Sequence, residues 1–392
     1  MLIRCLLLLC VPLLTVAQKP LPPTLLPNPT QALQTYRANL NRLRQEHTNH
    51  RDLPDLRFFL FGMGNRTKYI YRAGRLINAR TGHIQEQWTV QDDVIVPSEY
   101  TVHLNLTNGG QVQIQENESG VWVLEPGKKT RRVDDTKNPI GLPRFGDRTY
   151  GPVLRVLHHE VLINVVDSKP VPNFLVYQKP WYRDATLMAM VMQQTGNLSL
   201  IRDWIMGIRD PFDRNNHGIA EADNPGQVLF LASLVSDKNH PVVRMALDSV
   251  KRFEKGNYIV GKTDYAEHPV FQTKWVKYGL NALGLPDPYV IPKQYDSYSS
   301  LFWWAYKDQH VAGAKFSEKD SDYYPYLVWA EDHFYGEKRG IVGNLDYPLS
   351  WEQQASDAHY PGMTVLDPAL TKQKLSYPHT WHAAEMFLLL NQ

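Results

Sequence analysis

Trp181-Tyr182-Arg183-Asp184-Ala185-Thr186-Leu187-Met188-Ala189-Met190-Val191-Met192 opens on aromatic and charged residues, then turns small and apolar. A helix that is apolar nearly all round has no wet face and belongs inside a larger helical layer. The same layout recurs further on. Its openings are Glu221-Ala222-Asp223-Asn224, Glu267-His268-Pro269, Asp296-Ser297-Tyr298, Ser350-Trp351-Glu352-Gln353 and His379-Thr380-Trp381-His382. Between them stand more charged helices such as Val242 to Phe253, which carry one apolar stripe and read as an outer layer. Helices are expected to begin near Tyr182, Ser199, Pro225, Pro241, Val270, Ser297, Asp322, Glu352 and Trp381. If the inner helices run in one sense around a closed ring, their polar openings meet at one end. That end is a basin lined by carboxylates and aromatic rings. Each opening alone reads more readily as an ordinary N-cap with acids on the positive end of the helix dipole; six together favour the basin.

Upstream the pattern changes period. Val102, Leu104 and Leu106 alternate with His103, Asn105 and Thr107, and Asn108-Gly109-Gly110 follows as a turn. Val112 and Ile114 alternate with Gln111, Gln113 and Gln115 before the turn Glu118-Ser119-Gly120. Period-two patterning between Gly and Asn turns predicts an antiparallel sheet with one wet face. Phe58 to Phe61, Tyr69 to Tyr71 and Val161 to Val166 read as further strands. His158-His159-Glu160 would then point to opposite faces of a strand, so a structural role is expected rather than a metal cluster.

The rest of the chain frames these two parts. It has 392 residues, 43% hydrophobic and 21% charged, which fits a globular protein and excludes a collagen or a polytopic membrane protein. The net charge of +2 argues against nucleic-acid binding by bulk electrostatics. Residues 1–17 carry Arg4, an apolar run and the small residues Thr15-Val16-Ala17, the layout of a cleavable signal. The protein is therefore expected to be secreted or periplasmic, with no membrane segment after cleavage. Both cysteines lie in that segment, so the mature chain would have neither disulfides nor Cys ligands. Residues 18–55 read as a Pro-rich linker, Lys19 to Pro29, and a helix from Ala32 to Glu46. Residues 56–170 read as the antiparallel β domain and residues 171–392 as an (α/α) toroid of helical hairpins. The class is α+β.

A basin of acids and aromatic faces suits sugars. Glycoside cleavage takes one carboxyl as proton donor and a second to activate water or attack the anomeric carbon. The donor needs an apolar or anionic neighbourhood to keep its proton near neutrality.

Three stretches resemble the glucoamylase-like six-hairpin (α/α) toroid glycosidases. Trp181-Tyr182-Arg183-Asp184 resembles their Trp-x-Arg-Asp signature, Glu352-Gln353 their general-base Glu-Gln, and Pro378-His379-Thr380-Trp381-His382-Ala383 their closing Pro-Leu-Thr-Trp-Ser-His-Ala stretch. The resemblance runs from about residue 180 to 390. It implies a toroid, Glu352 as base, and Arg183 and Asp184 as the grip on the terminal sugar. The family's Trp-Glu-Glu acid segment has no counterpart in this chain. In a ring of six the opening opposite Glu352 is the second, so Glu221 is the preferred acid, Asp223 its near rival and Glu267 the third candidate. Trp181, Trp351 and Trp381 offer stacking surfaces, with His382 beside them.

The expectation is an inverting glycoside hydrolase acting on an oligo- or polysaccharide, with no metal or organic cofactor implied. Two alternatives stay open. One is a polysaccharide lyase on the same scaffold, recruiting His217, His268, His382, Tyr298 or Arg183. The other is a glycan-binding protein without catalysis.

Overall fold

The computed structural model describes residues 22–46, 58–134, 139–175, 177, 179–294, 303–306 and 380–392. The expected signal segment, the openings at Asp296 and Ser350, and the helices expected from Asp322 and Glu352 lie outside the described residues. The fold is mixed, with antiparallel sheets in the N-terminal region and helices after them.

A helix α1 (Pro29–Glu46) comes first. Then β1 (Phe59–Phe61), β2 (Tyr69–Arg72), β3 (Arg75–Asn78) and β4 (Ile84–Gln87) pair in order as one antiparallel sheet. The strands β5 (Val90–Val96), β6 (Thr101–Leu106), β7 (Gln111–Asn117), β8 (Gly120–Leu124) and β9 (Arg131–Arg132) form a five-stranded meander. The alternation read from the sequence becomes register here. Ile95, Val102, Ile114 and Val123 stand in one row across the meander, all on its inner face. They pack against Phe59, Phe61, Tyr69, Tyr71 and Leu76 of the first sheet, so the two sheets bury their apolar faces together. Gly109 sits at φ +81° in the Asn108-Gly109-Gly110 turn, a left-handed conformation that costs glycine little.

The outer face of the meander is not wet throughout. Gln113 is fully buried, because its side chain accepts a hydrogen bond from the backbone of Leu26 and donates one to the carbonyl of Thr24. The part of the Pro-rich segment around Thr24 to Leu26 is thus docked as an extended strap rather than a free linker. Deeper down, Glu116 accepts from the backbone amides of Gly62 and Met63 and forms a buried ion pair with Arg66 at 2.8 Å. One carboxylate thereby ties the loop after β1 to β7.

The stretch Val161 to Val166 corrects the strand expected there. Only Val165–Val166 is extended, in a small hairpin, while Gly151–Ile163 is a helix, α2. Every residue of α2 except Pro152 is buried. An all-round apolar helix gives no 3.6-residue signal, and its β-branched residues imitate a strand. His158 and His159 consequently do not point to opposite faces of a sheet. His158 packs against Phe145 and Phe387, and His159 stacks on Phe59 at 5.1 Å. Their role is in the core.

The helical part continues with α3 (Tyr182–Gln194), α4 (Arg202–Met206), α5 (Asn224–Val235), α6 (Pro241–Val250), α7 (Pro269–Ala282), the short α8 (Trp303–Tyr306) and α9 (Thr380–Leu390). None of the described helices is long and apolar enough to cross a membrane. α3 is buried from Tyr182 through Met192 and α5 from Asn224 through Ala232, whereas α6 buries one stripe formed by Val242, Val243, Ala246 and Val250. The inner and outer classes therefore separate as their patterning predicts. α9 packs on α2 and α3, and α5 lies against α3, α6 and α7. The α5–α7 crossing is close enough that a Cβ on Gly279 would stand 2.4 Å from the Gly226 carbonyl oxygen. Contacts of Arg183 and Asp184 bring the starts of α3, α5 and α9 and the hairpin before α7 to one place.

Candidate active site

Arg183 is the hub. It lies one residue into α3, where the helix has just left the extended Trp181, and it is 3% exposed. Its guanidinium meets three carboxylates: Asp264 at 2.6 Å, Asp223 at 3.3 Å and Glu221 at 3.4 Å. The Trp381 ring of α9 lies against the guanidinium, 5.3 Å from its carbon to the ring centroid. A planar cation with five donors can serve several acceptors at once, which an ammonium cannot do with the same geometry.

The carboxylates are held from more than one side. Asp223 precedes α5, but its side chain does not cap that helix. It accepts instead from Gln227 Nε2 and Thr263 Oγ1, each at 2.8 Å. Thr263 in turn accepts from Gln272 Nε2 of α7 at 2.9 Å, so the chain of bonds runs from α3 through α5 to α7. Glu221 accepts from the backbone amide of Asp264 at 2.7 Å and from Asn216 Nδ2 at 3.2 Å. Asn216 also donates to Asp264 at 3.2 Å. Asp184, buried beside Arg183, accepts from the hydroxyl of Thr380 at 3.4 Å, which binds the openings of α3 and α9 together.

Burial and the Asp223 charge together push the Glu221 carboxyl up to about 7, against the lowering pull of Arg183 and of its hydrogen-bond donors. Asp213, whose carboxylate takes the Tyr182 amide at 2.7 Å, is also raised, chiefly by burial. Burial and the nearby Asp184 and Asp264 raise the Tyr177 phenol. The result is one carboxyl lifted to about 7 inside a buried network of acids around Arg183. A buried carboxyl raised in this way suits acid–base chemistry at neutral pH.

The described openings are not all equal. Those of α3, α5 and α9 converge, bringing Arg183, Asp184, Glu221, Asp223 and Trp381 together. Glu267 does not join them: it is exposed on the hairpin of Lys262–Thr263 with Ala266–Glu267, opposite Lys262. The hairpin instead brings Thr263 and Asp264, ahead of Glu267, to the cluster. Trp381 is 8% exposed and lies as a floor against the Arg183 guanidinium. Trp181 is half-buried and meets Tyr177 edge-on at 5.5 Å. Trp351 and Glu352 lie outside the described residues, and so does the side chain of His382.

Asp264 and Thr263 were not foreseeable by pattern. They sit in a hairpin whose strands are two residues long, Lys262–Thr263 and Ala266–Glu267, below the length at which alternation is readable. Asn216 had a weak signal, as part of the polar loop before Glu221.

Compared with protein-family models, with curated proteins and with solved structures, the chain gives no match.

Proposed function

We propose that the protein is a secreted glycoside hydrolase with an (α/α) toroid as its catalytic part, working by an inverting two-carboxylate mechanism on an oligo- or polysaccharide. The observation that carries this reading is the state of Glu221. It is a buried carboxyl lifted to about 7, anchored by Asn216 and the Asp264 amide, and adjacent to an anion. A general acid for a glycosidic oxygen needs a carboxyl that still holds its proton near neutrality. Glu221 gives that proton to the leaving oxygen. After burial, the negative charge of Asp223 beside Glu221 raises its affinity for the proton. Arg183 orders the three carboxylates, and Asp184 sits with it at the sugar end. The reading takes Glu352 as the base that activates water, on the strength of its Trp351-Glu352-Gln353 context in the sequence.

The test is product chemistry. The full chain should release new reducing ends from at least one member of a glycan panel, with the anomeric configuration inverted. Glu221→Gln should abolish release while binding persists. Release accompanied by the ultraviolet absorbance of an unsaturated uronate would replace hydrolysis by elimination.

A second reading rests on a specific observation. Glu221 and Asp223 both face a guanidinium that is 4% exposed at its side chain, which is also how a non-catalytic ion-pair knot beneath a glycan-binding surface is built. Sugar binding without any turnover would favour it.

A further inference from the structure

A cavity of about 470 Å³ lies where the docked strap and the start of α1 meet the turn Pro97–Glu99, the loop before α2 and the first turns of α2. None of its described lining residues belongs to the Arg183 cluster. Its charged lining is Arg144, Arg148 and Arg155 against Glu99, with Asn28 and Gln31 beside them at the start of α1. Two guanidiniums converge on Glu99 from different places in the chain. Arg155 Nη1, on α2, donates to Oε1 at 2.6 Å, and Arg144 Nη1, in the loop, stands 3.8 Å from Oε2. Surface arginines are ordinary, and Arg144 and Arg148 are both exposed. Arg155 is not ordinary: its side chain is nine-tenths buried, with the guanidinium carbon 5.0 Å from the centroid of the Tyr100 ring. Its buried Nε has no hydrogen-bond partner. A guanidinium so placed has lost most of its water and keeps an unmet donor. Three arginines against one carboxylate leave the described lining with a surplus of two positive charges.

We propose that this cavity is an oxoanion-binding site, separate from the Arg183 cluster, that takes the phosphate or sulfate ester group of a small organic molecule. The proposal does not rest on the hydrolase reading. Glu99 already shows that two guanidiniums can close on one anion here. A carboxylate presents two oxygens, which is what Glu99 supplies. A tetrahedral ester presents three, and it suits guanidinium groups arriving from several sides. A phosphate monoester carries a charge of about −1.5 to −2 at neutral pH, which matches the surplus. The ester sits beside Glu99 and competes with its carboxylate for Arg144 and Arg155. The cavity falls within the size range of small-molecule sites, roughly 300–1,000 Å³, so it has room for an organic group behind the ester.

The experiment is calorimetric titration of the full chain at low salt with inorganic phosphate, glucose 6-phosphate, glucose 6-sulfate and glucose. Wild type is compared with the double variant Arg144→Ala, Arg148→Ala and with Glu99→Gln. Wild type should bind at least one of the two esters and leave glucose unbound, and added sodium chloride should weaken the binding. Preference for one ester identifies which of the two chemistries the site takes. Each exposed arginine should contribute roughly two- to fivefold, so the double variant should bind about tenfold more weakly. Its melting temperature without anion should stay where it is, because both side chains are exposed. Glu99→Gln removes the competing carboxylate and should tighten ester binding, an effect that a merely structural ion pair would not produce. Unchanged ester affinity in the double variant, or glucose bound as tightly as the esters, overturns the site. So does a wild type that binds neither ester, with or without binding of inorganic phosphate. Loss of ester binding in Glu99→Gln at an unchanged melting temperature overturns the placement of the anion beside Glu99.

Discussion

Arg183 Nε and Asp223 Oδ2 stand 3.3 Å apart with both side chains at 4% exposure or less, and Arg183 is the cation that meets the Asp223 carboxylate among the described residues. Asp223 has further donors in Gln227 and Thr263, but these carry dipoles, not charge. The desolvation cost of a buried carboxylate is offset only while the guanidinium remains.

Arg183→Met should therefore cost on the order of 3–5 kcal/mol of folding stability, the usual penalty for stranding a buried charge. Arg183→Lys should recover only part of it, since one ammonium cannot reach three carboxylates in fixed directions. Urea unfolding of the two variants beside wild type checks this. A loss under 1 kcal/mol for Arg183→Met would show that the carboxylates find other partners.

The two core histidines make stability depend on acid. Burial drives the pKa of His158 down to about 3, helped by the charges of His159 and Arg155, and burial likewise drives His159 to about 3. In the unfolded chain both titrate near 6.5. Stability from these groups is complete above that value and is lost as pH falls from about 6.5 toward 3. At pH 5 the loss is about 2 kcal/mol for each. Glu221, raised in the folded state, works in the opposite sense between its ordinary value and about 7. Urea midpoints at pH 7 and pH 5 should fall accordingly, and His158→Gln should flatten the dependence.

The α5–α7 crossing should not tolerate a methyl group. A Cβ on Gly226 would lie 2.5 Å from the Trp275 carbonyl carbon, and one on Gly279 would lie 2.4 Å from the Gly226 oxygen. Both obstacles are backbone, so the helices must separate. Gly279→Ala, although it favours helix by about 1 kcal/mol in isolation, should lower the melting temperature and weaken the Asp223–Thr263–Gln272 chain that spans the two helices. Thermal melts of Gly226→Ala and Gly279→Ala give the answer directly.

Much of this was legible in the residues. The meander follows from the alternation at Val102 to Leu106, because one face is buried and the other mostly is not. The beginnings of α3, α5, α6 and α7 follow from their Asp, Asn and Pro openings, and that of α9 from His379-Thr380-Trp381-His382. Arg183, Asp184, Glu221 and Asp223 could be grouped because polar residues at the mouths of apolar helices have few places to go. What failed did so for definite reasons. α2 is buried all round and has no period, so its β-branched residues read as a strand. Gln113 looks like a wet-face residue until a strap from far upstream covers it. Asp264 is local in a hairpin of minimal length, and only the tertiary contact with Arg183 gives it significance.

The pH profile of turnover separates the roles of Glu221 and Asp223. An acid catalyst must carry its proton, so the alkaline limb of activity should fall as pH rises through about 7. Asp223 contributes to that elevation through its negative charge, second to burial. Asp223→Asn removes the charge while keeping the shape and an acceptor for Gln227 or Thr263. Glu221 should then ionise more easily, and the alkaline limb should move to lower pH with part of the activity kept. Were Asp223 the proton donor instead, Asp223→Asn would abolish turnover at every pH and Glu221→Gln would merely shift the profile. Measuring both variants from pH 4 to pH 9 on one released sugar, with about tenfold resolution in rate, distinguishes the two assignments without any knowledge of the natural glycan.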